Sequence, residues 1–225
     1  MPARRHAPSN GDAIPVLENG DRLTRQEFER RYDALPNLKK AELIEGVVYM
    51  SSPVRTDQHG EPHGDIVGCL AVYRVRTPGV RLSDNGSMHL DADNMPQPDV
   101  QLFFDRSSGG QARVDENGYV EGPPELIVEV AASGVSYDLH DKMNAYRRNG
   151  VREYIVWRVL DREVDWFQLT AGRYVRRETG DNGIYRSEVF PGLWLDADAL
   201  IRGDLPRVHE VLADGLASAE HAAFV

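Results

Sequence analysis

The chain has 225 residues, of which 41% are hydrophobic and 8% aromatic, and its 26 basic and 36 acidic side chains give a formal net charge of −10. That length and composition fit one core-forming domain with appendages and exclude wholesale disorder. No apolar run approaches the roughly 20 residues that cross a bilayer, Met1 to His6 lead into no apolar stretch, and the lone Cys69 excludes an internal disulfide and a cysteine-rich zinc site, so a cytoplasmic protein without a membrane segment is expected. The acidity counts against nucleic-acid binding, although a local patch or a bound divalent cation reverses the sign inside a cleft.

Residues 1–22 are rich in Pro, Asn, Gly and isolated charges and read as a loose N-terminal arm. Thr24 predicts an N-cap, with Glu27 as its capping-box partner, for a short helix that ends near Asp33 ahead of Pro36. Ala41 to Met50 reads as two short strands broken at Glu45-Gly46. Ile66, Val67, Leu70, Val72 and Tyr73 give His63 to Arg76 the spacing of an amphipathic helix. Strands are predicted at Arg81-Leu82, Ser87 to Leu90 and Pro98 to Phe104, then a polar surface loop from Ser107 to Gly122.

Leu126 to Val130 is a short apolar run holding one acid, followed by a helix from Tyr137 to Arg148 that Asn149-Gly150 closes. Glu153 to Val159, Glu163 to Leu169 and Gly172 to Arg176 read as a three-strand meander, and Pro206 to Ala219 as a C-terminal helix. This pattern predicts an α/β or α+β fold with a mixed sheet flanked by helices. The aromatic-rich segments Tyr154 to Trp157 and Val164 to Phe167 are explained by cross-strand packing.

Glu129 stands out because its strand is apolar on both faces, as in a central strand, and a buried carboxylate costs several kcal/mol unless it is paired or binds a metal. A buried ion pair with an arginine, or a strand end that reaches water, accounts for it as well as a functional role does. Asp99 opens the preceding strand after Pro98, where a turn aspartate is the ordinary explanation. Together they place two carboxylates on two strands; adjacent strands lie about 4.8 Å apart, so the pair could share one Mg²⁺.

Asp138, Lys142 and Tyr146 share one helix face by their i, i+4, i+8 spacing, either as a solvated face or, through a right-handed crossover, facing those carboxylates. Glu45 is another acid beside apolar residues. His59 and His63 are separated by Gly60 and Pro62, which disfavours a helical zinc pair; His63 reads as a helix-start residue that bonds substrate or serves the structure. Cys69 lies on an apolar helix face and reads as inert core. Dinucleotide, P-loop and nucleophile-elbow motifs are missing.

The order Leu43-Ile44-Glu45-Gly46, His63, Pro98-Asp99-Val100, Pro124 to Val130, Asp141-Lys142, Tyr146 and Gly150 to Tyr154, closing with Phe190 to Leu195, resembles the Uma-two family of the PD-(D/E)XK nuclease superfamily. The resemblance runs from about Leu43 to Leu195 and implies a restriction-endonuclease-like domain over 23–200, with 201–225 as a C-terminal helical extension. It implies Asp99 and Glu129 as Mg²⁺ ligands (Mn²⁺ substituting), with the Val130 carbonyl as a further ligand. Ala131 stands where the simple superfamily pattern has lysine, so the resemblance moves that role to Lys142, which would orient the attacking water. Glu45 matches the upstream acid, and His63 and Tyr146 would line the cleft. Ala131 to Gly134 departs from the Leu-Ser-Pro-Ser more usual in relatives.

The resulting expectation is a Mg²⁺-dependent endodeoxyribonuclease with DNA as partner, paired as a homodimer. The alternatives are a non-catalytic scaffold that keeps the fold, which the net charge of −10 favours, and a hydrolase of RNA or a smaller phosphodiester.

Overall fold

In the computed structural model, residues 14–50, 55–132, 134–180 and 182–225 are described. The Thr24 hydroxyl caps α1 (Arg25–Asp33) by accepting from the Glu27 amide at 3.4 Å. Glu27 does not return the expected capping-box contact: its carboxylate takes Arg30 and Arg31, each at 2.7 Å. Glu45 and Gly46, both at positive φ, turn the hairpin between β1 (Ala41–Ile44) and β2 (Val47–Met50), as the break in the sequence predicts.

Residues 1–13 of the predicted arm lie outside the described residues. From Leu17 onward the arm is docked, with Leu17 buried against Phe28, Leu43 and Val48 and Arg22 bridging Val47. A large apolar side chain at position 17 is what ties this segment down.

Six strands make the main sheet: β3 (Val80–Asp84), β4 (Val100–Phe104), β5 (Leu126–Ala131), β6 (Glu153–Arg158), β7 (Glu163–Thr170) and β8 (Arg173–Arg176), lying side by side in chain order. Every neighbouring pair is antiparallel except β5 and β6, which are parallel and therefore need a crossover. The helical stretch Val135–Asn149 supplies it, passing through a π turn at Asp138–Lys142 and ending at Gly150 in the left-handed conformation.

The sheet separates two apolar layers. On one face, Leu102, Val128 and Trp166 pack against α2 (Glu61–Arg76) through Ile66, Leu70 and Tyr73. On the other, Phe103 and Ile127 pack against Ala145 and Tyr146 of the crossover helix. Side chains alternate along a strand, so Glu129 shares its face with Ile127, and Asp99 with Phe103. Glu129 thus points toward the crossover helix. The antiparallel register that sets Val100 opposite Val128 carries Asp99 alongside Glu129.

Two expectations change. The predicted loop from Ser107 to Gly122 contains the strands Arg113–Val114 and Val120–Glu121, which pair with each other and, through Val120, with Met88. Valines on either side of an Asp115 to Gly118 turn explain that hairpin.

The predicted C-terminal helix is found at Leu205–Leu216, but it is flanked by two short helices, Ala197–Arg202 and Ala219–Phe224; Asp204, Asp196 and Ser218 cap the three. They are integral rather than an extension, because Val208 and Leu212 belong to the same core as α2 and the sheet. Among the described residues, no helix is long and apolar enough to cross a membrane.

Candidate active site

Asp99 and Glu129 meet through the backbone between their strands. The Val130 amide donates to Asp99 Oδ2 at 2.8 Å, and the Asp99 amide donates to Glu129 Oε2 at 3.4 Å. Glu129 Oε1 accepts from Lys142 Nζ at 3.0 Å and from the Tyr146 hydroxyl at 2.9 Å. The i, i+4, i+8 face expected from the sequence therefore packs on the sheet, and among the described residues no arginine pairs with Glu129.

Lys142 is enclosed. Its ammonium lies 3.0 Å from Glu42, 3.0 Å from Glu129 and 3.7 Å from Asp138, and 5.2 Å from the centre of the Tyr137 ring. Burial alone would lower its pKa, but Glu129, Glu42 and Asp138 together hold it well above the ordinary lysine value. Lys142 stays cationic.

The carboxyls absorb the imbalance instead. Asp99, Glu129, Glu42 and Asp138 are all buried around two lysines, Lys142 and Lys40. Burial pushes Glu129 up to about 8, with Lys142 opposing and Asp99, Asp138 and Glu42 adding to the shift. Burial likewise raises Asp138 to about 6, against the pull of Lys142. Four acids facing two lysines would carry two negative charges in excess if all were ionised, and the raised values of Glu129 and Asp138 are how the pocket relieves that excess.

On the solvent side, Lys40 Nζ reaches Asp99 Oδ1 at 3.4 Å and His59 Nε2 lies 3.6 Å from the same oxygen. The Val130 carbonyl can only accept, so at 2.9 Å His59 Nδ1 carries the proton and donates to it. One lone pair of that carbonyl remains available to a cation. His63 Nε2 sits 3.0 Å from Asp84 and 3.3 Å from the Asp99 carbonyl. The π turn Thr56–Gly60 ahead of α2 stacks the rings of His59 and His63 at 5.5 Å, despite Gly60 and Pro62 between them.

The geometry corrects two sequence expectations. Glu45 does not join the site: at the hairpin turn its carboxylate pairs with Arg148 at 2.8 Å, and Glu42 is the upstream acid beside Lys142. Glu45→Gln should therefore change stability by less than about 1 kcal/mol and leave activity intact, as urea denaturation and a cleavage assay would show. Tyr146 cannot line an open cleft, because it is fully buried and holds Glu129. Glu42, Lys40 and His59 carry no sequence signal for this site, whereas Asp138 lies on the helix face predicted with Lys142.

Among the described residues, no three His, Cys, Asp or Glu side chains converge closely enough to enclose a metal ion. The donor set still fits a hard divalent cation: carboxylate oxygens, a backbone carbonyl and more buried acids than neighbouring lysines.

No curated protein matches the chain. Among solved structures it is similar to the crystal structure at 1.96 Å of a putative nuclease belonging to DUF820 from Anabaena variabilis. That TM-score is 0.62 at 14% identity, covering 80% of this chain and 99% of the other, and it shows the fold. Residues 25–198 match the family model Uma2, described as putative restriction endonuclease. With most of its length under that match, the chain belongs to the Uma2 family.

Proposed function

We propose that the protein is a Mg²⁺-dependent phosphodiesterase that cuts DNA, with Mn²⁺ able to replace Mg²⁺. One observation carries the reading: two buried carboxylates from adjacent strands lie beside a lysine in a pocket that is short of positive charge. Asp99, Glu129 and the Val130 carbonyl would hold the cation. Bound there, Mg²⁺ would offset charge on the phosphate and lower the pKa of an attacking water.

The protein's own groups prepare that site. Lys142 and the Tyr146 hydroxyl fix Glu129 Oε1, which leaves Oε2 on the Asp99 side. Lys142 acts through Glu129 instead of touching water, since three carboxylates surround its buried ammonium. His59 holds the Val130 carbonyl in place, and His63 lies on the rim. One such site breaks one strand, so duplex scission calls for two copies, and the proposal includes a homodimer.

Supercoiled plasmid, single-stranded DNA and RNA incubated with Mg²⁺ or with EDTA test the reading. Conversion of the plasmid in Mg²⁺ alone is expected. Equal products in Mg²⁺ and EDTA, or none from any substrate, would overturn it; the second outcome is the one expected of a non-catalytic scaffold, which the net charge of −10 favours.

A further inference from the structure

The two lysines beside the acids differ in what they can reach. Lys142 has a side chain only 4% exposed and faces three carboxylates, so an incoming substrate does not meet it. The Lys40 side chain is 25% exposed, on the segment just before β1. Two long contacts hold it, 3.3 Å to Asn85 Oδ1 and 3.4 Å to Asp99 Oδ1. Its neighbours on the rim are Asn85, at a turn with φ 50°, and His63, whose Nε2 is 3.4 Å from Asn85 Nδ2.

An ammonium on a flexible stem, next to a metal-holding acid and open to solvent, is placed to meet an anion. The geometry points to Lys40 as the residue that grips a non-bridging oxygen of the substrate's phosphodiester backbone. This rests on the reading of the site as a phosphodiesterase, and it defines the substrate by its backbone and not its bases. A lysine acts on phosphate as a point charge without reading sequence. In a protein with a net charge of −10, such a local contact also counters repulsion where the strand must approach.

The test compares wild type, Lys40→Ala and Lys40→Arg in Ca²⁺, which suppresses turnover, using fluorescence anisotropy on two DNA duplexes of unrelated sequence over a salt series. Lys40→Ala should lose roughly tenfold in affinity on both duplexes at low salt, with a salt slope shallower by about one; Lys40→Arg should restore both. The Mg²⁺-induced rise in melting temperature should persist in Lys40→Ala. Wild-type affinity and slope in Lys40→Ala, or a loss on one sequence only, would overturn the assignment. So would loss of the Mg²⁺ effect, which would make Lys40 merely the structural partner of Asp99. If wild type cleaves while Lys40→Ala binds DNA normally, only this inference falls. If wild type neither binds DNA nor responds to Mg²⁺, the phosphodiesterase reading falls with it.

Discussion

Replacing Glu129 by glutamine should lower metal-dependent cleavage by at least about a hundredfold and, in the same protein, raise thermal stability at pH 8 in EDTA. The two effects have one cause. Glu129 is buried in a pocket whose other acids, Asp99, Asp138 and Glu42, already outnumber the local lysines, and its pKa is pushed up to about 8. A neutral isostere removes a charge that the folded protein disfavours. The glutamine carbonyl can still accept from the Tyr146 hydroxyl, and Lys142 keeps Glu42 and Asp138. What is forfeited is the charge facing Lys142 at 3.0 Å, the long 3.4 Å bond from the Asp99 amide and one ligand for a divalent cation. Nicking rates and calorimetric melts on the same samples check both halves. A variant that melts lower and cuts as fast would make Glu129 a structural ion pair with Lys142 and nothing more.

The parts of this site that sequence made visible follow regular periods. Glu129 is conspicuous because one acid interrupts an apolar strand, and Asp99 because the preceding strand begins there. Lys142 and Tyr146 followed from helical spacing, which survives the π turn at Asp138–Lys142. The residues that escaped depend on long-range packing. Glu42 lies in Ala41–Ile44, and nothing local told whether its side of the hairpin would face the crossover helix or water. Glu45 drew attention because it marks a break, yet a turn residue at φ 51° projects away from the strand pair and found Arg148.

Lys40 precedes a strand with no period to orient it, and the π turn at Thr56–Gly60 rotates His59 toward Val130 in a way that α-helical spacing does not encode. The sheet itself was largely legible from alternation and from Asn149-Gly150. The hairpin inside 107–122 was hidden because its strands are only two residues long.

The same charge surplus fixes how stability varies with pH. Three buried acids have folded pKa values above their ordinary ones: Glu129 at about 8 from 4.5, Glu153 at about 7 from 4.5 and Asp138 at about 6 from 3.8, in each case mainly through burial. Between the ordinary and the raised value the folded chain holds protons that the unfolded chain has released. Their contribution to stability is therefore complete below about pH 4 and is lost as pH rises through about 6, 7 and 8 in turn.

In EDTA the melting temperature should fall steadily from about pH 5 to pH 8. On the proposed reading Mg²⁺ would compete with the proton on Glu129, so its stabilising increment should be small at pH 5 and grow toward pH 8. At a hundredfold excess over Kd the increment is about 3 kcal/mol, or roughly 6–10 °C for a chain of this size. Glu153 separates the two effects, because its carboxylate bonds to the Ser187 hydroxyl and the Glu188 amide, apart from the Asp99 and Glu129 pocket. Glu153→Gln should flatten the slope between about pH 5 and pH 7 while leaving the Mg²⁺ increment intact. An increment equal at pH 5 and pH 8 would mean that the ion binds somewhere other than at Glu129, and the assigned metal site would then fall.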